Sequence, residues 1–315
     1  MALSMLNPIP AGPEAACNDL PGQVRARRLE GVEATLEHLL AHETEGRDSL
    51  IEPRLFEHLG QAPVEYDWPG RRAPAPRFPM PYTDASMVAA SFAVPLADLR
   101  PLLPSSNRLA PARITPWHGL LTVFAFHHHR SGLGRYQELG VATPMLLDQP
   151  RAVPFWPLAF DARRSGSQSA LGLFLLEMPC DRPRPAEVGE RLYGLPRLLA
   201  HAEFALGSQT GLASMEVNGQ RLAALEVSAP RSFLHRRLDL SFTTFSLLGG
   251  RVIRTRNAMI TDGYRGARGT AKVEFGEHPR FARLRALRLM HRPLETRICS
   301  QLNMLVGGPE DLGPA

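Results

Sequence analysis

Three stretches of this 315-residue chain bring together side chains able to do chemistry. The first is His127-His128-His129. On a strand, successive side chains alternate, so His127 and His129 face one side and His128 the other. Two imidazoles on one face bind zinc when a carboxylate joins them. No metal signature accompanies the run, so hydrogen-bonded imidazoles at a strand end are expected and no metal is assigned. The second stretch is Ser131-Gly-Leu-Gly-Arg-Tyr-Gln-Glu-Leu-Gly140. Its glycines make a tight turn, and the strand that follows carries Tyr136 and Glu138 on one face. A carboxylate there is either a solvated edge charge or an acid/base group held in a pocket. The third is Val188-Gly-Glu-Arg-Leu-Tyr-Gly-Leu-Pro-Arg-Leu-Leu-Ala200. Gly194 and Pro196 punctuate it, and its leucines point to apolar packing. Arg197 follows Pro196 where a helix could begin. A cation there opposes the helix dipole by about 0.3–1 kcal/mol, which suggests that the charge has another task.

The basic residues narrow the chemistry further. Of 36, one is lysine, Lys272, and 35 are arginine. Any mechanism that needs an amine side chain has one candidate in the chain. Lys272 sits in Thr270-Ala-Lys-Val-Glu-Phe275, which reads as a strand with Lys272 and Glu274 facing out. The formal charge of +5 is spread along the sequence, so nucleic acid is not an expected partner. The cysteines Cys17, Cys180 and Cys299 are too few and too scattered for a disulfide framework or a Cys-based zinc site. No run approaches the roughly 18 apolar residues of a membrane helix. Met1–Pro10 has no basic region ahead of an apolar stretch, so no signal peptide and a cytoplasmic location are expected. A G-x-G-x-x-G opening a helix, a Walker loop, G-x-S-x-G and H-E-x-x-H are all missing.

The elements that must position these residues read as mostly β. Ser86–Val94, Leu120–His129, Gly172–Met178, Gly211–Val217 and Arg221–Val227 are short runs bounded by turn residues. Asn218-Gly219 between the last two marks a hairpin. Helical spacing appears at Gly22–Glu43, at Ser49–Leu59, at Ala97–Leu103, near Gly194–Ala202 and at Glu295–Leu305. Gln61–Pro81 is Pro-rich and reads as an extended arm. A boundary is expected near residue 74, with an N-terminal, partly helical extension over 1–73 and the main domain over 74–315.

Taken together, these segments resemble the acetoacetate decarboxylase family. That family has S-G-L-G-x-Y-x-E-x-G-x-x-x-P, and Ser131 to Pro144 matches it, with Tyr136, Glu138, Gly140 and Pro144 in step. Where the family has G-R-E-x-x-G-x-P-K-K-L, this chain has Gly189-Glu-Arg-Leu-Tyr-Gly-Leu-Pro-Arg-Leu-Leu199. Asn257-Ala-Met-Ile-Thr-Asp262 and the Asn-Gly hairpin are also similar to family segments. The resemblance runs from about residue 76 to 308. It implies an α+β protein around a cone-shaped, mainly antiparallel β-barrel with a few helices, the site inside, and homo-oligomeric assembly. The family's first lysine of P-K-K forms a Schiff base with a ketone, and the second is its cationic neighbour. Here those positions are Arg197 and Leu198. A guanidinium is charged at all ordinary pH values and is no amine nucleophile. A family arginine aligns with Ala85, and the R-E pair is inverted to Glu190-Arg191.

These departures point to a lysine-independent enzyme on a decarboxylase-like scaffold. Glu138 would be the acid/base group and Arg197 the binder of a carboxylate or enolate oxygen. Tyr136 or Tyr193 would donate a hydrogen bond. Arg191, His128 and Leu198 complete the expected substrate contacts. Suitable reactions are dehydration, aldol-type chemistry, cyclisation or isomerisation of a β-keto or polyketide-like compound. The expected partner is a small keto or carboxylate substrate, with no cofactor, no nucleic acid and no membrane. The alternatives are a non-catalytic binder of a small acid and a β-keto acid decarboxylase that dispenses with the Schiff base. A displaced Schiff base at Lys272 is the least favoured. The discriminating observation is whether Glu138 and Arg197 face one enclosed cavity.

Overall fold

A computed structural model describes residues 19–20, 24–28, 64–66, 76–148, 170–229, 235–266 and 269–315. Four short strands, β1 (Asp19–Leu20), β2 (Val24–Arg28), β3 (Val64–Tyr66) and β4 (Arg77–Phe78), form a small antiparallel sheet in that order. The chain continues through β5 (Met80–Pro95), helix α1 (Leu96–Leu99), β6 (Leu109–Pro111), β7 (His118–Ser131) and β8 (Tyr136–Leu147). Strand β9 (Leu171–Glu177) and helix α2 (Pro183–Tyr193) follow. Next come β10 (His201–Leu206), β11 (Thr210–Val217), β12 (Gln220–Ser228) and β13 (His235–Leu248). Last are β14 (Arg251–Gly266), β15 (Thr270–Phe275), helix α3 (Ala282–Arg285), β16 (Glu295–Val306) and β17 (Glu310–Pro314).

Seven strands close into a barrel in the order β13-β9-β8-β7-β5-β16-β14, with β14 pairing back onto β13. Every neighbouring pair is antiparallel except β9 with β13. This is the mainly antiparallel barrel that the sequence leads one to expect. A second sheet, β10-β11-β12-β15, covers part of the barrel's outer wall. The chemistry of the central strands follows from being covered twice. On β5, Met87 and Ala89 join the cluster inside the barrel, while Val88, Ala90 and Phe92 join the cluster beneath the second sheet. Strands buried on both faces read as continuous apolar runs, as β5 and β7 do. Each fully buried Val, Leu or Phe contributes about 1.5–3 kcal/mol. The β11–β12 hairpin turns at Asn218 (φ 51°) and Gly219 (φ 75°), the left-handed pair that Asn-Gly adopts readily.

Three helical expectations are corrected. Val24–Arg28 lies within the expected Gly22–Glu43 helix but is a strand paired with β1 and β3. Residues 29–43 and the expected helix at Ser49–Leu59 lie outside the described residues. The helix expected near Gly194–Ala202 sits one element earlier, as α2. It ends where Gly194 takes the left-handed conformation (φ 61°), which stops the helix and sends the chain out extended. Glu295–Leu305 is strand β16, not a helix. Its register against β5 shifts twice between Cys299 and Met304. Those irregularities break the two-residue alternation and leave leucines at 302 and 305, a spacing that mimics a helix. The Ala97–Leu103 expectation holds, as α1 and the 3-10 turn Arg100–Leu102.

Candidate active site

The third motif is built against the second by three chain segments lying side by side. Glu138 on β8 forms a bridge with Cys180, and Cys180 forms a parallel one with Leu199. Backbone hydrogen bonds lock them together: Leu139 N–H to Pro179 O, Cys180 N–H to Leu198 O, and Ala200 N–H to Cys180 O. Because Leu195–Ala200 runs extended, its side chains alternate. Leu195 and Arg197 point into the barrel, and Leu198 packs into the cluster beneath the second sheet. Helix α2 buries Val188, Leu192 and Tyr193 on one face. Gly189 on that face leaves room for Arg197, since a Cβ there would overlap its guanidinium and side-chain carbons.

The barrel holds a cavity of about 120 Å³ lined by both Glu138 and Arg197. They form a buried ion pair, Arg197 Nη1 to Glu138 Oε2 at 2.6 Å, with side chains 6% and 4% exposed. Glu138 Oε1 lies 3.0 Å from His128 Nε2. A carboxylate only accepts, so His128 carries its proton on Nε2. His128 is fully buried among the rings of Tyr82, Phe126 and Tyr136. Its Nδ1 has no hydrogen-bond partner among the described residues. Burial pushes the Glu138 carboxyl up, but the Arg197 charge and the His128 hydrogen bond outweigh it and hold the pKa at about 2. Burial opposes the Arg197 charge as well, and Glu138 more than restores it. Both hydrogen bonds that the Arg197 side chain donates to described residues leave from Nη1, to Glu138 and to the Met178 carbonyl at 3.3 Å.

Two phenols complete this end. Tyr136 donates to Tyr82 Oη at 3.2 Å, and Tyr82 donates to Met80 Sδ at 3.6 Å. Burial, reinforced by the Glu138 charge, raises both phenols far above their ordinary range. They stay protonated and act as donors.

The structure therefore brings together Glu138, Arg197, Tyr136, His128 and Tyr193. The ring of Tyr193 lines the cavity, while its hydroxyl donates to Gly307 O at 2.9 Å. Three expected substrate contacts are not there. His128 supports Glu138 but is fully buried and does not line the cavity. Arg191 is exposed on α2 and pairs with Glu187 one turn back. Leu198 faces away because Arg197 faces in. Arg197 does not start a helix either; its charge is opposite Glu138. Lys272 stands exposed on β15, ion-paired with Glu274, and does not line the cavity that holds Glu138 and Arg197. His127 and His129 lie on the opposite side of β7 from His128, with ring centroids 4.0 Å apart. Burial, with His129 and Arg135 beside it, pulls the His127 imidazole down to about 4. Among the described residues no three His, Cys, Asp or Glu side chains are grouped to hold a metal. Burial pushes the Cys180 thiol up, away from nucleophilic use.

Sequence reasoning missed three features. A second buried ion pair, Arg297 Nε to Glu295 Oε1 at 2.6 Å, lines the same cavity. Glu-x-Arg at strand spacing ahead of an apolar run was the available signal, and the helical reading of β16 hid it. Ser91 and Thr122 share a hydrogen bond of 2.9 Å in the cavity wall. Behind the site, Arg280 donates to Glu177 Oε2 at 2.6 Å and to the backbone carbonyl of Arg197 at 2.8 Å. Nothing local in the sequence announces that long-range clamp.

Among the described residues, no helix is long and apolar enough to cross a membrane. No curated protein matches the sequence. Solved structures do. An acetoacetate decarboxylase is 16% identical, with a TM-score of 0.51 over 76% of this chain and 91% of its own. The acetoacetate decarboxylase of Legionella pneumophila is 13% identical, with a TM-score of 0.52 over 85% of this chain and 99% of its own. The enduracididine biosynthesis enzyme MppR, solved with pyruvate, is 13% identical, with a TM-score of 0.47 over 75% of this chain and 90% of its own. The family model for acetoacetate decarboxylase matches residues 62–307. By that match, and by the barrel it predicts, the chain belongs to the acetoacetate decarboxylase family.

Proposed function

We propose that this protein is a lysine-independent enzyme that forms an enolate from a small β-keto or polyketide-like substrate. One observation carries the reading: Glu138 and Arg197, distant in sequence, meet as a buried ion pair in a single, largely apolar cavity. No iminium electron sink forms at a guanidinium, so the developing negative charge must be held electrostatically. Arg197 Nη2 is the donor for the substrate carbonyl oxygen. Glu138 takes the proton α to that carbonyl. The C–H bond breaks, the proton goes to the carboxylate, and the electron pair comes to rest on the oxygen beside Arg197.

A carboxylate held at about 2 is a weak base while Arg197 grips it. A substrate oxygen that draws the guanidinium away removes the main influence lowering that pKa. Burial then raises it, so the base strengthens only when substrate is present. Tyr136 stays protonated and supplies a second hydrogen bond by turning its one hydroxyl hydrogen from Tyr82 to the substrate. The enolate could then expel a β-hydroxyl, join or release a carbonyl fragment, or isomerise. Electrostatic stabilisation without a Schiff base also accommodates loss of carbon dioxide from a β-keto acid.

The test is α-proton exchange in D2O, followed by NMR across a panel of ketones and β-hydroxy ketones. Exchange above the buffer rate is expected, falling by roughly 10² to 10⁴ in Glu138→Gln. A folded protein that exchanges no member of the panel would establish the non-catalytic binder instead.

A further inference from the structure

The end of the cavity away from Glu138 is polar in a way that enolate chemistry leaves unused. Glu295, Ser91 and Thr122 occupy one row across three neighbouring strands: Glu295 is opposite Ser91, and Ser91 is opposite Thr122. Arg297 lies two residues along β16 from Glu295, opposite Ala89. All four line the cavity. Glu138 is opposite Phe126, four residues along β7 from Thr122. At about 3.3 Å per residue, that is about 13 Å along the wall.

These groups are buried. Ser91 is 7% exposed and Thr122 4%, and their hydroxyls bond to each other. Two hydroxyls sharing one hydrogen bond use one of their two hydrogens. The other has no partner among the described residues, although a polar hydrogen in an apolar cavity is costly to leave unused. The Glu295–Arg297 pair sets a carboxylate beside its guanidinium here. Hydroxyls next to a carboxylate already matched with a cation favour an uncharged oxygen group over a second carboxylate.

Building on the proposed function, we infer that Ser91, Thr122, Glu295 and Arg297 form a second subsite for a distal hydroxyl or carbonyl oxygen. The substrate is then a keto compound oxygenated at both ends, with an apolar middle lying along Phe124 and Met259. The separation of about 13 Å along the wall, less a hydrogen bond at each end, sets its length.

Unreactive probes separate the two ends. Hexanoate presents a carboxylate to Arg197 and a methyl group to the distal end. The probe 6-hydroxyhexanoate adds only the distal oxygen. Calorimetry on the full chain should show 6-hydroxyhexanoate binding about tenfold more tightly. The preference should fall to parity or below in Ser91→Ala/Thr122→Val, whose near-isosteric changes are checked by thermal melting. Single Thr122→Val serves if the double variant does not fold. Equal or weaker binding of the hydroxylated probe by the unaltered protein overturns the distal subsite and leaves the enolate reading standing. Failure of both carboxylates to bind, or binding unchanged in Arg197→Met, overturns the anion role of Arg197 and this inference with it.

Discussion

An amine and a guanidinium at position 197 differ in what they can become. The amine can lose a proton and attack a ketone, and the guanidinium cannot. Incubation with acetoacetate and borohydride should therefore leave no reduced adduct, as read by intact mass. An adduct mapping to Lys272 would contradict its exposed position and its pairing with Glu274. Changing Arg197 to Lys does not restore the family's chemistry, since the adjoining Leu198 is neutral and faces out of the cavity. The ion pair also has a stability signature. Glu138→Gln or Arg197→Met leaves one buried charge uncompensated and should cost about 3–5 kcal/mol each. The double variant should cost less than the sum of the two. Additive losses by urea denaturation would mean that the two groups do not act as a pair.

Elements decide whether Arg197 reaches Glu138 at all. The extended run after Gly194 sets the alternation, and Arg280 fixes the backbone at Arg197 while neutralising Glu177. Arg280→Gln should lower stability by about 1–3 kcal/mol, because the Glu177 carboxyl and the Arg197 carbonyl both lose a donor. Denaturation measures this, and no loss in Arg280→Gln would remove the clamp from the account. The two family-like motifs made the meeting of Glu138 and Arg197 legible in the sequence, and turn-bounded runs did the same for β5 and β7. The path between them was not legible. Helix and extended chain both suit Leu195–Ala200 locally, and only hydrogen bonds to Met178 and Cys180 settle the choice. Likewise Glu295 and Arg297 hid behind bulges that gave β16 a helical spacing.

At the scale of the whole molecule, two buried carboxylates impose opposite pH dependences. Glu138, held at about 2 against an ordinary 4.5, contributes stability above about pH 4.5 that is lost as pH falls towards 2. Burial raises Glu177 to about 7 despite Arg280, so the folded state holds its proton longer than the unfolded one. Its contribution therefore declines as pH rises from about 4.5 to 7. Stability should climb from pH 3 to 5 and then level or fall towards 7.5, and Glu177→Gln should remove the decline. A profile of Glu177→Gln identical to that of the unaltered protein would contradict this. The closed barrel also constrains how the molecule is made. Met80 pairs with Val306, and the intervening strands cannot seal the wall without β16. Such distant pairing makes folding slow. During synthesis, β5 and β14 stay open-edged until β16 has left the ribosome. Until then the nascent barrel is an unsealed sheet, when an exposed edge is most apt to join another chain. Slower translation prolongs that exposure, so yield should depend on the release of the final strands more than on the strength of the finished core.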